Sequence, residues 1–157
     1  MNRKIFIVSV VALFLDQISK IIVSVFLKLE SLVIIPHFFS LHYLENYGAA
    51  WSIFNYRVEF LIFVSFIALF ILFRYLYSFK LNNRNNIAFG FLFGGICGNL
   101  IDRLFIGYVR DFLSFKLFDY NYPVFNLADV FIVIGVFLLI IAIFKGEDKR
   151  ENGSKEM

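Results

Sequence analysis

"FNLADVFIVIG", Phe125 to Gly135, sets a carboxylate, Asp129, just inside a run apolar enough to cross a membrane, with no further charge before Lys145. A charge in hydrocarbon is costly, so an acidic side chain kept there usually serves a site. The apolar run Leu127 to Phe144 is close to the ~20 helical residues that span ~30 Å of hydrocarbon. Three more windows share its character: Ile5 to Leu27, Val58 to Phe79 and Ile87 to Ile106.

Composition agrees with a membrane chain. Of 157 residues 61% are hydrophobic, a share well above that of an ordinary soluble domain. The aromatic residues, 23 Phe and 8 Tyr, suit lipid-facing surfaces and headgroup belts. The net charge of +3 lies at segment ends and forms no patch, which excludes a nucleic-acid module. A single cysteine, Cys97, excludes an intrachain disulfide and two-cysteine redox chemistry. Met1 to Leu15 imitates a secretory signal, with Asn2-Arg3-Lys4 before an apolar run. No small-residue cleavage site follows, and it reads as a retained first helix.

Four crossings put both termini on one side. Arg3, Lys4, Arg74, Lys80, Arg84, Lys145, Lys149, Arg150 and Lys155 all fall on that side, which the positive-inside rule makes cytoplasmic. Residues 29–57 and 107–123 are then external. "FFSLHYLEN" alternates, with Phe39, Leu41 and Tyr43 on one side and Ser40 and His42 on the other, as in a half-buried strand. In "YGAAWS", Gly48, Ala49 and Ala50 permit close backbone approach ahead of an amphipathic Trp51. Residues 145–157 read as a charged, disordered cytoplasmic tail. The expected architecture is one all-α integral membrane domain over residues 1–157, with four transmembrane helices and a small external sheet.

The polar residues of the spans form pairs. Asp16 and Lys20 are four apart; Asn99 and Asp102, and Asn126 and Asp129, are three apart; each pair shares a helix face, and Arg103 adjoins the second. Asp16 lies about 16 Å along the helix from Ile5, and Lys20 about 6 Å further. The other pairs sit at the external end of the third helix and the external start of the fourth, so all three can meet in the outer half of the bilayer. Each pair alone also reads as structural: an Asp-Lys tie, an Asn cap, an interhelical hydrogen bond.

The available chemistries are few. His37 and His42 are the only histidines and no HExxH helix exists, so a hydrolytic metal site is poorly supported and no metal is expected. A serine triad would need one of those histidines beside a serine. A Ser-Lys dyad on Lys20 is weakened by Asp16 one turn away, which favours a charged lysine. Carboxylates remain: Asp111 in "YVRDF" precedes Asp129 by eighteen residues, and a turn between them would bring the two together. Two carboxyls in one low-dielectric site share a proton, and the ionised partner can act as base on a water. Asp111 by itself also reads as a solvated loop acid.

At this point five stretches in order resemble the motifs of the bacterial lipoprotein signal peptidases, also called signal peptidase II: "DQISK" (Asp16 to Lys20), "NYGAAWS" (Asn46 to Ser52), "GNLIDR" (Gly98 to Arg103), "VRDF" (Val109 to Phe112) and "FNLAD" (Phe125 to Asp129). The resemblance covers nearly the whole chain. It implies a four-helix aspartyl endopeptidase of the bacterial inner membrane with an external β-cradle. It implies substrates that are prolipoproteins carrying diacylglycerol on a cysteine, cut just before that cysteine. Asp111 and Asp129 resemble the catalytic pair; Asp16, Lys20, Asn46, Gly48, Asn99, Asp102, Arg103, Asn126 and Ala128 resemble residues that bind substrate or steady the site. The resemblance also implies inhibition by globomycin-type cyclic peptides, a membrane-lipid environment, a monomer and no cofactor. Trp51 stands where the family often has Phe and Val130 where Ser is common, and Asn121, in the variable loop "FDYNYP", is a candidate for another polar position that the family frequently retains.

Two rival classes make different demands. A proton-coupled carrier needs polar residues at successive depths, whereas here they gather in the outer half and the second helix contributes none at mid-depth. A purely structural membrane partner would be indifferent to the loss of Asp111 or Asp129.

Overall fold

A computed structural model of the chain describes residues 2–48, 54 and 56–149. Four helices long and apolar enough to cross a membrane are present: α1 (Arg3–Phe26), α2 (Val58–Leu76), α3 (Asn83–Ile106) and α4 (Leu127–Phe144). Their ends follow polar caps as much as hydropathy. The Asn2 side chain accepts from Lys4 N at 3.1 Å, and Asn82 accepts from Asn85 N at 2.9 Å. The Asn82 cap starts α3 at Asn83, one turn before the apolar window that opens at Ile87. α2 closes at Leu76, short of the expected Phe79, while α4 has the expected bounds. Gly107, with φ of 79°, ends α3 in a left-handed conformation that glycine adopts without a Cβ clash.

The chain is not all-α. A four-stranded antiparallel sheet, ordered β1-β2-β3-β4, joins the helices: β1 (Leu32–Ile35), β2 (Phe39–Asn46), β3 (Val109–Leu117) and β4 (Tyr120–Asn121). The second external segment therefore carries strands as well as a turn. Leu113 forms a further antiparallel bridge with Phe125, directly ahead of α4. The expectations for Ala49, Ala50, Trp51 and Ser52, and for the tail beyond residue 149, lie outside the described residues.

Strict alternation along β2 also fails, for an identifiable reason. Phe39 and Leu41 pair with Phe115 and Leu113, but the next recorded pair is Leu44 with Asp111, followed by Asn46 with Val109. Three steps along β2 thus match two along β3, the signature of a β-bulge. Leu44 and Asn46 share the face of Phe39 and Leu41, and Tyr43 moves to the opposite face. There its hydroxyl lies 3.3 Å from that of Tyr108.

Close packing in the bundle centres on α3. Half of its most apolar window is buried, against 22%, 17% and 17% for α1, α2 and α4, so the other three present most of their surface outward. Small residues make the approach close. A Cβ added at Gly94 would lie 2.7 Å from both the Ala12 Cβ and the Ser9 carbonyl oxygen of α1. One added at Gly95 would lie 2.6 Å from the Ala128 carbonyl oxygen of α4. Where apolar transfer supplies no force between helices, such backbone proximity and interhelical hydrogen bonds hold them together.

The N-terminus of α1, the N-terminus of α3 and the C-terminus of α4 share one end of the bundle. Lys4 Nζ donates to Asn83 Oδ1 at 2.7 Å, Lys80 N donates to Glu147 O at 2.8 Å, and the Glu147 carboxylate also accepts from Arg84, Asn82 and Asn85. These donors, Asn82 foremost, hold the Glu147 carboxyl below its ordinary range. Next to this clamp lies an aliphatic and aromatic cluster that includes Ile5, Leu72, Phe79, Phe89 and Leu92.

Gly94→Val is expected to force α1 from α3 and lower stability by about 2 kcal/mol, measured by unfolding in detergent, whereas Val133→Ala on the exposed face of α4 should change it little.

Candidate active site

At the opposite end of the bundle the polar pairs of α1, α3 and α4 converge. Lys20 is fully buried, and its ammonium lies 2.9 Å from Asp16 Oδ2 and 3.3 Å from Asp102 Oδ2. It also donates to Asn99 Oδ1 at 2.9 Å. Asp16 reaches a second helix as well, accepting from Ala128 N of α4 at 2.9 Å. That bond satisfies one of the backbone donors a helix start leaves unpaired.

Asn99 transmits this arrangement. Its Oδ1 accepts from Lys20 and, at 3.1 Å, from Asn126 Nδ2, so its own amide nitrogen points the other way and donates to Asp129 Oδ1 at 2.8 Å. Asp129 Oδ2 accepts from Asn126 N at 3.2 Å, while Asn126 Oδ1 accepts from Asp129 N at 3.1 Å, a reciprocal cap on the first turn of α4. The carboxylate that opens the sequence question is therefore fixed by the helix start that carries it.

Asp111 enters from the sheet. It is 1% exposed, its Oδ1 accepts from Asn126 Nδ2 at 2.6 Å, and its Oδ2 accepts from Asn46 Nδ2 at 2.8 Å. Asn126 thus binds both carboxyls, one through its side chain and one through its backbone. Burial first, and the nearby Asp129 charge second, push the Asp111 carboxyl up to about 7. Asp16 and Asp102 are ion-paired, whereas among the described residues Asp111 and Asp129 make no ion pair.

Arg103 lines the same cavity as both carboxyls, and its Nη2 donates to Gly48 O at 3.2 Å. Gly48 N in turn donates to Asn46 Oδ1 at 2.9 Å, which orients the Asn46 amide toward Asp111. The cavity, about 830 Å³, has Asp111 and Asp129 at its polar end and Phe115, Val124, Val130 and Val133 among its apolar walls. Among the described residues no three His, Cys, Asp or Glu side chains are placed to hold a metal ion.

Every residue singled out from the sequence as a site candidate joins this one network. Two further participants escaped that reading although both lie inside the quoted motifs. Gln17 Nε2 donates to Asp16 Oδ2, Gly98 O and Asp102 Oδ1 at 3.1, 3.0 and 3.3 Å. Arg110 binds Asp102 through its backbone N at 3.0 Å and its Nη2 at 2.6 Å, and Nη2 also reaches Gln17 Oε1 at 3.0 Å. Alternation along β3 puts Arg110 on the face opposite Asp111. That period offered a signal for Arg110; Gln17 offered none.

Residues 8–145 match the family described as Signal peptidase (SPase) II. The chain is 34% identical to a lipoprotein signal peptidase of Staphylococcus aureus, over 97% of this chain and 98% of that one. It is also 34% identical to the protein of that name in strain JH9, over 96% and 97%. Two solved structures, each described as a bacterial membrane enzyme determined by the in meso method, are 35% identical. One superposes with a TM-score of 0.81 over 96% of this chain and 94% of the other; the second does so with 0.77 over 90% and 92%.

Arg110→Met should leave Asp102 short of a partner and cost about 3 kcal/mol of stability. In the double variant with Asp102→Asn the loss should be smaller than the sum of the two single losses, because the orphaned charge is gone; a thermodynamic cycle measures the coupling.

Proposed function

This chain belongs to the signal peptidase II family, and we propose that within its multi-pass membrane fold Asp111 and Asp129 form an aspartyl dyad that removes signal peptides from prolipoproteins. The observation that carries the dyad is the contrast among the buried carboxyls. Lys20 and Arg110 neutralise Asp16 and Asp102, while among the described residues the hydrogen bonds to Asp111 and Asp129 come from neutral amides, and the two face a cavity together with Arg103.

In this reading one proton is shared by the pair. The ionised carboxyl takes a proton from water as it attacks the scissile carbonyl, and the protonated one donates to the carbonyl oxygen, giving a neutral gem-diol. As the gem-diol collapses and the C–N bond breaks, the ionised carboxyl takes a hydroxyl proton from the gem-diol and the protonated one gives its proton to the leaving nitrogen, so the pair ends as it began, singly protonated. The value near 7 for Asp111 favours it as the holder of the shared proton, although the two carboxyls titrate as a unit. Arg103 and Asn46 line the cavity together with the two carboxyls, which supports a role for them in holding substrate carbonyls. Lys20, Asp16, Asn99, Asp102, Asn126, Ala128 and Gly48 act as positioning residues.

The finer substrate reading follows from the cavity and the family. The apolar wall beside the dyad suits a cysteine carrying diacylglycerol, with the cut immediately before it. The chain would act as a monomer in the bacterial cytoplasmic membrane, both termini cytoplasmic and the dyad toward the outer face, where globomycin-type peptides would compete for the cleft. A carrier is disfavoured because the glycine-lined helix contacts and the Ile5–Phe89–Leu92 cluster separate the dyad network from the clamp at Glu147.

The deciding experiment is cleavage of a diacylglyceryl-modified prolipoprotein, with the unlipidated precursor alongside, by the purified protein. Wild type should cut the lipidated form, and Asp111→Asn or Asp129→Asn should lose about 10⁴-fold in kcat or more; turnover retained in either variant would remove the dyad.

The pH dependence has a definite sign. Asp111 is raised in the folded protein from an ordinary 3.8 to about 7, so the unfolded chain gives up that proton first. Stability falls as pH rises between those values and this component is gone above about 7. Thermal unfolding across that range should show the decline in wild type and a flatter profile in Asp111→Asn. The alkaline limb of kcat/KM should fall near the same pH, as the shared proton is lost.

A further inference from the structure

Each of the two acids that face the cavity is preceded in the chain by a residue whose backbone N–H is held by a carboxylate from a different element. Ala128, before Asp129, donates to Asp16 Oδ1 at 2.9 Å. Arg110, before Asp111, donates to Asp102 Oδ2 at 3.0 Å. The spacing between Asp16 of α1 and Asp102 of α3 therefore governs the spacing of two backbone nitrogens, each one residue from Asp129 or Asp111.

Gln17 spans that gap. Its Nε2 donates to Asp16 Oδ2 at 3.1 Å, to Asp102 Oδ1 at 3.3 Å and to Gly98 O at 3.0 Å, so one planar amide refers both acids to the backbone of α3. A Cβ at Gly98 would collide with Asp16 Oδ2, and glycine there lets the acid sit against α3. The amide is oriented from its other end, because Arg110 Nη2 donates to Gln17 Oε1 at 3.0 Å. Arg110 is itself held, with Nε and Nη2 on the two oxygens of Asp102 at 3.3 and 2.6 Å.

Lys20 joins the same two acids, at 2.9 Å from Asp16 Oδ2 and 3.3 Å from Asp102 Oδ2. An ammonium is a compact point charge with rotatable donors, so it balances charge without fixing an angle. An amide engaged at both ends fixes direction as well as distance. The corner between α3 and β3 gives this brace its leverage. Only Gly107 and Tyr108 separate the two elements, and Gly107 turns the chain with φ of 79°, so the contacts of Asp102 with Arg110 set the angle at which the strand leaves the helix.

We propose that Gln17, turned by Arg110, is a positioning residue for the acid pair, setting the separation of Asp111 from Asp129 through the backbone nitrogens of Arg110 and Ala128. Its effect on turnover rests on the dyad reading above; its effect on the backbone rests on the hydrogen bonds alone. A misplacement of about 1 Å at reacting groups can cost about 10²-fold in rate, so an uncharged side chain behind the acids is felt in kcat.

Two readouts on the purified full-length chain test this. Gln17→Met keeps an unbranched side chain of similar length and removes the amide. In cleavage of a diacylglyceryl-modified prolipoprotein it should lower kcat about tenfold or more, with KM within about twofold of wild type. An unchanged kcat, or a loss carried by KM, overturns the proposal. In residue-resolved hydrogen exchange the amides of Arg110 and Ala128 should exchange several-fold faster than in wild type, while those in the middle of α2 keep their rates. Unchanged exchange at both positions also overturns it. Arg110→Lys keeps a positive charge beside Asp102 but lacks the fork that also reaches Gln17. It should show the same loss of kcat at a thermal stability close to wild type, and it decides the matter by the same criteria should Gln17→Met fail to fold. Asp111→Asn in the same assay separates the two claims: turnover retained there removes the dyad and leaves the exchange rates to decide the brace.

Discussion

One buried ammonium organises the end of the bundle where the polar side chains of α1, α3 and α4 meet. Lys20 has no access to water and is held by Asp16, Asp102 and Asn99, drawn from two helices. A lone charge at that depth would be prohibitively costly, and removing either carboxylate would leave the remaining ions out of balance. Arg110, reaching in from the sheet, brings a second positive charge to match the second acid. The four charges compensate one another, and the neutral amides around them are left free to act on Asp111 and Asp129.

Direction matters as much as charge in this arrangement. The Asn99 oxygen is claimed by Lys20 and Asn126, so its nitrogen must serve Asp129. The Asn46 oxygen is claimed by Gly48 N, so its nitrogen must serve Asp111. Asn126 completes the set by binding both acids while capping α4. Each amide is turned by a fixed donor behind it, which is how a site of flexible side chains becomes preorganised.

The bundle and much of this network were legible in the sequence, because a hydrocarbon solvent makes both apolar length and polar exceptions conspicuous. The three-residue and four-residue spacings put Asp16 with Lys20, Asn99 with Asp102, and Asn126 with Asp129 on shared faces before any fold was known. The sheet was less legible. β3 pairs with β2 across more than sixty residues of chain, and neither the exposed β1 nor the two-residue β4 has an apolar alternation to announce it. Arg110 was passed over because its partner, Asp102, lies on a helix whose contact with the strand is tertiary. Helix starts moved by up to a turn where Asn82 or Asn2 supplied a cap that hydropathy does not register.

The bulge in β2 settles which residue meets Asp111. Had the strand alternated without it, Tyr43 and Glu45 would have followed Leu41 onto the face that carries Asp111, and Asn46 would have pointed away. A third acid would then stand beside Asp111 and Asp129, and an amide that now steadies Asp111 would be lost. Glu45 instead accepts hydrogen bonds from Tyr43 and Tyr47 on the far face. Straightening the bulge with every residue of β2 retained would leave the composition of the strand intact yet exchange an amide for a carboxylate beside Asp111, so in this protein the pairing register of a strand is a chemical variable.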